Sequence, residues 1–191
     1  MINKRPRPLV SWKTIDLLAA EITGWVSFKN GVDLEEEHSE LLSANAVYII
    51  RIKRPWAFSY KKKQSPVVYI GEGKAQQRIS THLRSWMKVL ARELPQLKVQ
   101  IIYCIPKLKG PGKTSACVEA DLLHKFKEVH GELPLRNKQN ELKYKRNYRY
   151  SRKTFGYLLM GKGRGFRFAI SPMKSSGLYE ASRKKKKNAV A

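Results

Sequence analysis

The sequence predicts an α/β (α+β) fold in which a small mixed three-stranded sheet is flanked by helices, and three observations lead there. Runs rich in β-branched residues stand at 46–52, 66–71 and 97–105, each of strand length. Stretches 75–92 and 115–130 carry apolar residues at helical spacing. Their order, β-β-α-β-α over residues 46–131, implies a sheet with helices packed on it. The 191 residues are enough for one domain of ordinary size with extensions.

Taken in order, Ser11 is placed to cap a helix with Ile15, Leu18, Ala19, Ile22 and Val26 on one face, so residues 1–43 read as an N-terminal helical extension. "AVYIIRI" (46–52) is the first strand and "PVVYIG" (66–71) its neighbour. Between them "KRPWAFSYKKKQSP" reads as a long loop in which lysines alternate with Trp56, Phe58 and Tyr60, a composition that can grip phosphates and stack on bases. A solvated loop with one aromatic tucked in accounts for it equally well. The helix at 75–92 places Ile79, Leu83, Trp86, Met87 and Leu90 on one stripe, with Pro95 just beyond its end. "LKVQIIYCI" (97–105) is the third strand. The helix at 115–130 buries Val118, Leu122, Phe126 and Val129 and stops at Gly131. Residues 44–140 thus form the expected core. Residues 141–191 form a basic extension, with "GFRFAI" a late strand and a tail expected to be disordered from about 174.

Charge narrows the partner. Lys and Arg number 39 against 15 Asp and Glu, a net charge of +24, which calls for a polyanion. Residues 1–45 carry 5 basic and 7 acidic side chains, residues 46–140 carry 19 and 6, and residues 141–191 carry 15 and 2. The middle and end of the chain are therefore expected to engage the polyanion. No apolar run approaches the ~20 residues a bilayer span needs, so a soluble, cytoplasmic protein is expected. Cys104 and Cys117 lack metal-ligand spacing and read as reduced, buried small hydrophobes.

"GPGKTS" sits between a strand and a helix, as a Walker A loop does, but that motif needs a glycine where Lys107 stands, so nucleotide hydrolysis is not expected. The stretch "VVYIGEGKAQQRISTHLRSW" (67–86) says more. Arg78 and His82 are four residues apart on a helix, so their side chains are neighbours at the edge of the apolar stripe. Tyr48 and Tyr69 approach the same edge if their strands pair. Glu119 lies in the first turn of the second helix. Singly, a strand tyrosine is packing and an early helical glutamate complements the helix dipole. Their ordered combination is what points to a site.

That combination resembles the GIY-YIG nuclease family. The residues carrying the resemblance are Ala46-Val47-Tyr48, Tyr69-Ile70-Gly71, Arg78 with His82, Glu119 in "SACVEADLLHKF" and Asn137 in "GELPLRN", over about residues 44–140. The first signature has Ala-Val-Tyr for Gly-Ile-Tyr, the insertion between the signatures is longer than usual, and Asn140 is an alternative to Asn137. The resemblance implies a single-metal DNA endonuclease with Tyr48, Tyr69, Arg78, His82, Glu119 and Asn137 as catalytic residues. Glu119 would hold Mg²⁺, or Mn²⁺, a hard cation that binds few carboxylates and keeps its waters. Arg78 would meet the non-bridging oxygens with a forked, permanent cation. Tyr48 would be the general base or orient the water, its pKa lowered from about 10 by nearby cations. His82 would take that proton onward, and Tyr69 would bind the phosphate or the water. Two-metal chemistry needs a carboxylate cluster that this region lacks.

Lys61, Lys62, Lys63, Lys74, Arg84, Lys113, Arg136 and Lys138 are the expected nucleic-acid contacts. Double-stranded DNA is the expected partner, RNA the next candidate, with no membrane and a monomer or homodimer. A catalytically inactive DNA- or RNA-binding module is the alternative. The nuclease reading requires Glu119 and Arg78 to meet on one side of the sheet.

Overall fold

The computed structural model describes residues 11–17, 40–41, 43–107, 115–138, 148, 150–160 and 168–171. Its strands are β1 (Lys13–Leu17), β2 (Asn45–Ile52), β3 (Trp56–Ser59), β4 (Gln64–Ser65), β5 (Val67–Lys74), β6 (Val99–Cys104) and β7 (Phe168–Ile170). Its α-helices are α1 (Ala75–His82), α2 (Lys88–Glu93), α3 (Ser115–His130) and α4 (Arg152–Phe155). The architecture is mixed α/β with two sheets.

β2 is buried from Ala46 to Ile52 because both of its faces are covered, which is why its sequence is a continuous apolar run. On one face Val47, Ile49, Ile70 and Ile102 pack with Val118, Leu122 and Phe126 of α3. On the other, Tyr48, Ile50, Tyr69 and Ile101 pack with Ile79 of α1, Ala91 of α2, and Leu83 and Met87 of the turn joining those helices. Helices α1 and α3 therefore lie on opposite faces of the main sheet. The expected convergence of Arg78 and Glu119 on one side is corrected at the level of the helices that carry them.

The main sheet has four strands in the order β1-β6-β2-β5, and every pair in it is antiparallel. This corrects the expected mixed, three-stranded sheet. The added strand lies where a helix was expected: Lys13–Leu17 pairs with β6 from Lys13↔Tyr103 to Leu17↔Val99. A free sheet edge overrides local helical periodicity here, since long-range pairing satisfies the backbone and its polar side chains together. Asp16 accepts hydrogen bonds from Lys53 Nζ at 2.7 Å and Gln100 Nε2 at 2.7 Å. Gln100 Oε1 in turn accepts from buried Arg51 Nε at 2.6 Å. The continuation of the expected helix, through Leu18, Ala19, Ile22 and Val26, lies outside the described residues, as does the tail from about 174.

The expected loop between β2 and β5 holds β3 and β4, which join β7 in a second sheet ordered β4-β3-β7. Phe58 and Tyr60 are buried, and the Tyr60 hydroxyl donates to the Val67 carbonyl. Trp56 stacks on Phe168 at 4.8 Å between ring centroids. Phe58 and Tyr60 are packed inward, which corrects the reading of those two as part of a base-stacking surface, while Trp56 is half-buried. The expected third strand and the 115–130 helix form as β6 and α3, and Gly131 ends α3 at a φ of +84° that favours glycine. The expected 75–92 helix does not run unbroken. A wider π-type turn, Leu83–Met87, separates α1 from α2, with Ser85 at φ −99° and ψ −106°. Ser85 Oγ donates to the Thr81 carbonyl at 2.6 Å, a back-bond of the kind that bends helices.

Residues of the basic extension belong to the core. Leu158 and Leu159 are buried beside α3, Asp121 accepts from the Tyr148 amide at 2.8 Å, and Arg51 donates to the Tyr157 carbonyl at 2.7 Å. Among the described residues no helix is long and apolar enough to cross a membrane.

Candidate active site

The site is organised around Gly71. Tyr48 and Gly71 are register partners across β2 and β5, and Tyr69 precedes Gly71 by two residues on the same strand. By strand alternation the three positions share the α1 face. A methyl group at position 71 would stand 2.5 Å from the Tyr69 ring and 2.8 Å from the Tyr48 hydroxyl. The missing side chain is thus the space into which both phenols lean, their ring centroids 5.9 Å apart.

α1 lays two groups over them. His82 Nε2 is 3.1 Å from the Tyr48 hydroxyl oxygen, and its ring centroid is 4.4 Å from that of Tyr69. Arg78 donates from one terminal nitrogen to the Tyr69 hydroxyl at 3.3 Å, and its cation acts on the Tyr48 phenol. Trp86, one turn beyond His82, donates its indole N–H to His82 Nδ1 at 3.1 Å. Arg136 stands over the Trp86 ring at 5.5 Å. Tyr48, Tyr69, Arg78 and His82 therefore meet, as the sequence led us to expect. Trp86 was read there only as part of the apolar stripe. Its spacing held the missing signal: residues 78, 82 and 86 form an i, i+4, i+8 row on one helix face.

Tyr48 has 0 % exposure and Tyr69 4 %, whereas Arg78 is exposed, so solvent meets the guanidinium before the phenols. Burial, with Tyr69 and then Glu119 adding to it, raises the Tyr48 pKa; Arg78 opposes the rise without cancelling it. Arg78 by itself therefore does not give the expected lowering of the Tyr48 pKa: desolvation outweighs this one cation. Burial, then Arg78 and Arg136, push His82 down to about 4, so its ring is neutral near pH 7. Burial works against the Arg78 cation too, but Tyr48 and Tyr69 outweigh it and raise its pKa.

Glu119 arrives from the other face. Ser115 Oγ, at the start of α3, donates to Glu72 Oε2 at 2.5 Å, and His130, at its end, meets the Lys63 carbonyl at 3.2 Å, so α3 runs antiparallel to β5. Four helical residues advance ~6 Å and two strand residues about as much, which puts half-buried Glu119 roughly level with Ile70. Its charge is felt at the Tyr48 phenol.

Asn137 works on the backbone of β5. Its Oδ1 accepts from the Ile70 amide at 2.9 Å and its Nδ2 donates to the Ile70 carbonyl at 2.7 Å. With the Arg136 amide donating to the Val68 carbonyl at 3.0 Å, the segment covers the edge of β5 and holds the Tyr-Ile-Gly backbone. Asn137 is therefore placed as a positioning residue; Asn140 lies outside the described residues.

A divalent cation fits the carboxylate present in one specific way. Among the described residues no group of three or more His, Cys, Asp and Glu forms a cage. Mg²⁺ characteristically binds through one or two carboxylates plus substrate phosphate while keeping waters, a demand that Glu119 alone can meet.

Of the expected nucleic-acid contacts, Arg136 reaches the cluster through Trp86, while Lys74, Arg84 and Lys138 are exposed. Lys61, Lys62 and Lys63 stand at the far end of α3, where the Lys62 amide donates to the His130 carbonyl at 2.9 Å, ~16 Å along the helix from Glu119. Lys113 lies outside the described residues. No protein-family model, curated protein or solved structure matches the chain.

Proposed function

We propose that the protein is a GIY-YIG-type endonuclease hydrolysing DNA phosphodiester bonds. The observation that carries this reading is the junction of two phenols over one glycine, bonded to a guanidinium and an imidazole. Arg78 is its exposed member, so an incoming phosphate meets a planar fork suited to two non-bridging oxygens. As Arg78 turns from the phenols to the phosphate it uncovers their hydroxyls. Tyr48 then orients the attacking water in line with the leaving 3′ oxygen and Tyr69 bonds the phosphate; as the new P–O bond forms and the old one breaks, the attacking water gives a proton to solvent water and the departing oxygen takes one from it. Glu119 would hold Mg²⁺ or Mn²⁺, which would supply charge stabilisation to the phosphate; its helix lies across the sheet from α1, against the condition that the acid and Arg78 meet on one side, and what supports its place in the site is that its charge acts on the Tyr48 phenol. Asn137 keeps Tyr69, Ile70 and Gly71 in register beneath these groups.

The deciding experiment offers supercoiled, linear and single-stranded DNA, and RNA, to the protein with Mg²⁺ or with EDTA. Cleavage of duplex DNA with Mg²⁺ alone is expected, falling by at least ~100-fold in Glu119→Ala and in Arg78→Ala, as for loss of a main electrostatic stabiliser. Undiminished cutting by both variants would refute the assignment.

Two observations favour a second reading, a catalytically idle nucleic-acid-binding module: Tyr48 is buried, and α1 and α3 lie on opposite sheet faces. It predicts DNA or RNA binding that weakens steeply with salt and no strand scission with either additive.

A further inference from the structure

We infer that Trp86 locks His82 in the tautomer whose Nε2–H donates to the Tyr48 phenol oxygen, so that His82 is a fixed donor to that phenol and not the acceptor of its proton. Its importance for turnover rests on the hydrolytic reading above; the tautomer itself does not.

The argument is a donor and acceptor inventory. An indole nitrogen only donates, so at 3.1 Å from Trp86 Nε1 the His82 Nδ1 must be the accepting, unprotonated nitrogen. Neutral imidazole carries one proton, which is then on Nε2, 3.1 Å from the Tyr48 hydroxyl oxygen. A proton added at Nδ1 would set two N–H groups against each other. Burial and the Arg78 and Arg136 cations also oppose the imidazolium. Arg78, whose cation acts on the Tyr48 phenol and which donates to Tyr69, has no acceptor at all. Neither neighbour can take the Tyr48 proton. It leaves the phenol only toward Tyr69, a water or a substrate atom, which overturns the expectation that His82 relays it. The turn that begins after His82 includes Trp86, and the indole packs against the cores on both faces of the sheet, an anchored position for a group that fixes a tautomer.

The test is two-bond ¹H–¹⁵N NMR correlation of the histidine rings in the full chain at neutral pH, without nucleic acid. His82 is expected to show an unprotonated Nδ1 and a protonated Nε2; a proton on Nδ1 overturns the proposal even if no variant folds. In Trp86→Phe, which keeps an aromatic ring and loses the donor, an Nδ1–H population is expected to appear. If that variant keeps Nε2–H exclusively, Trp86 is not the lock. DNA cleavage by Trp86→Phe should show a kcat lowered by about tenfold, the scale of one hydrogen bond to the reacting group, with KM nearly unchanged. A mixed tautomer with unchanged kcat overturns its role in turnover. Wild-type protein that shows the Nε2–H tautomer but never cuts DNA upholds the lock and removes the hydrolytic reading.

Discussion

Gly71 shows how much of the site depends on one absent side chain. Its hydrogen is all that fits between the Tyr69 ring and the Tyr48 hydroxyl, since a Cβ would be 2.5 Å from one and 2.8 Å from the other. Gly71→Ala should therefore cost about 1–3 kcal/mol, the usual range for overpacking a filled core, read as a lower midpoint in urea unfolding. Tyr48→Phe keeps the ring and removes the oxygen that faces His82 Nε2, so a stability loss of about 1–3 kcal/mol with a still cooperative melt, together with loss of DNA cleavage, is the expected pair of results. His82 makes a pH prediction. Its folded pKa, about 4, lies below the ordinary 6.5, so the unfolded chain binds more protons between those values. Stability on this account is complete above about pH 6.5 and declines as pH falls toward 4. His130, buried and also lowered by its burial, adds to the same decline. Thermal melts from pH 7 to 4 should show a falling midpoint, less steep in His82→Asn than in the wild type.

At the scale of elements, β5 is the strand on which the site depends, and its outer edge is held by a loop instead of another strand. Asn137 takes both backbone groups of Ile70. Asn137→Ala should cost about 1–3 kcal/mol for leaving partly buried backbone groups unpaired, and hydrogen exchange at the Ile70 amide should quicken more than at β2 or β6. The asparagine was visible in the sequence, but its work was not, because a strand edge does not exist until the sheet has formed. The same holds for β1. Its residues carry a plausible helical stripe, and only the vacant edge of β6, with Gln100 opposite Asp16, makes an extended conformation the better solution. Strand β5 and helix α3, by contrast, announce themselves through β-branched runs and helical spacing.

At the scale of the whole molecule, the described basic side chains are divided between the candidate site, where Arg136 lies over Trp86, and positions away from it. The lysines at 61–63 are exposed at the end of α3 remote from Glu119, and Lys74, Arg84, Arg136 and Lys138 are exposed elsewhere on the surface. If the basic surface tracks a nucleic-acid backbone, log affinity should fall linearly with log salt at a slope of about −0.9 per phosphate neutralised. Replacing Lys61, Lys62 and Lys63 together by alanine should flatten that slope and weaken binding, while cleavage at saturating DNA stays near the wild-type rate. The basic extension adds a structural contribution that its composition hides, with Leu158 and Leu159 buried against the α3 core.

The strands near 46–52, 66–71 and 97–105, the helix at 115–130, the Arg78–His82 spacing and the identity of the phenols and of the acid at 119 were determined by the sequence alone, because each rests on local periodicity or residue chemistry. Tertiary structure decided the rest. It set the all-antiparallel pairing, sent α1 and α3 to opposite faces, turned Phe58 and Tyr60 inward and raised the Tyr48 pKa by burial. Those outcomes depend on which distant groups share a desolvated space, and a linear pattern of residues does not contain that information until the chain has closed on itself.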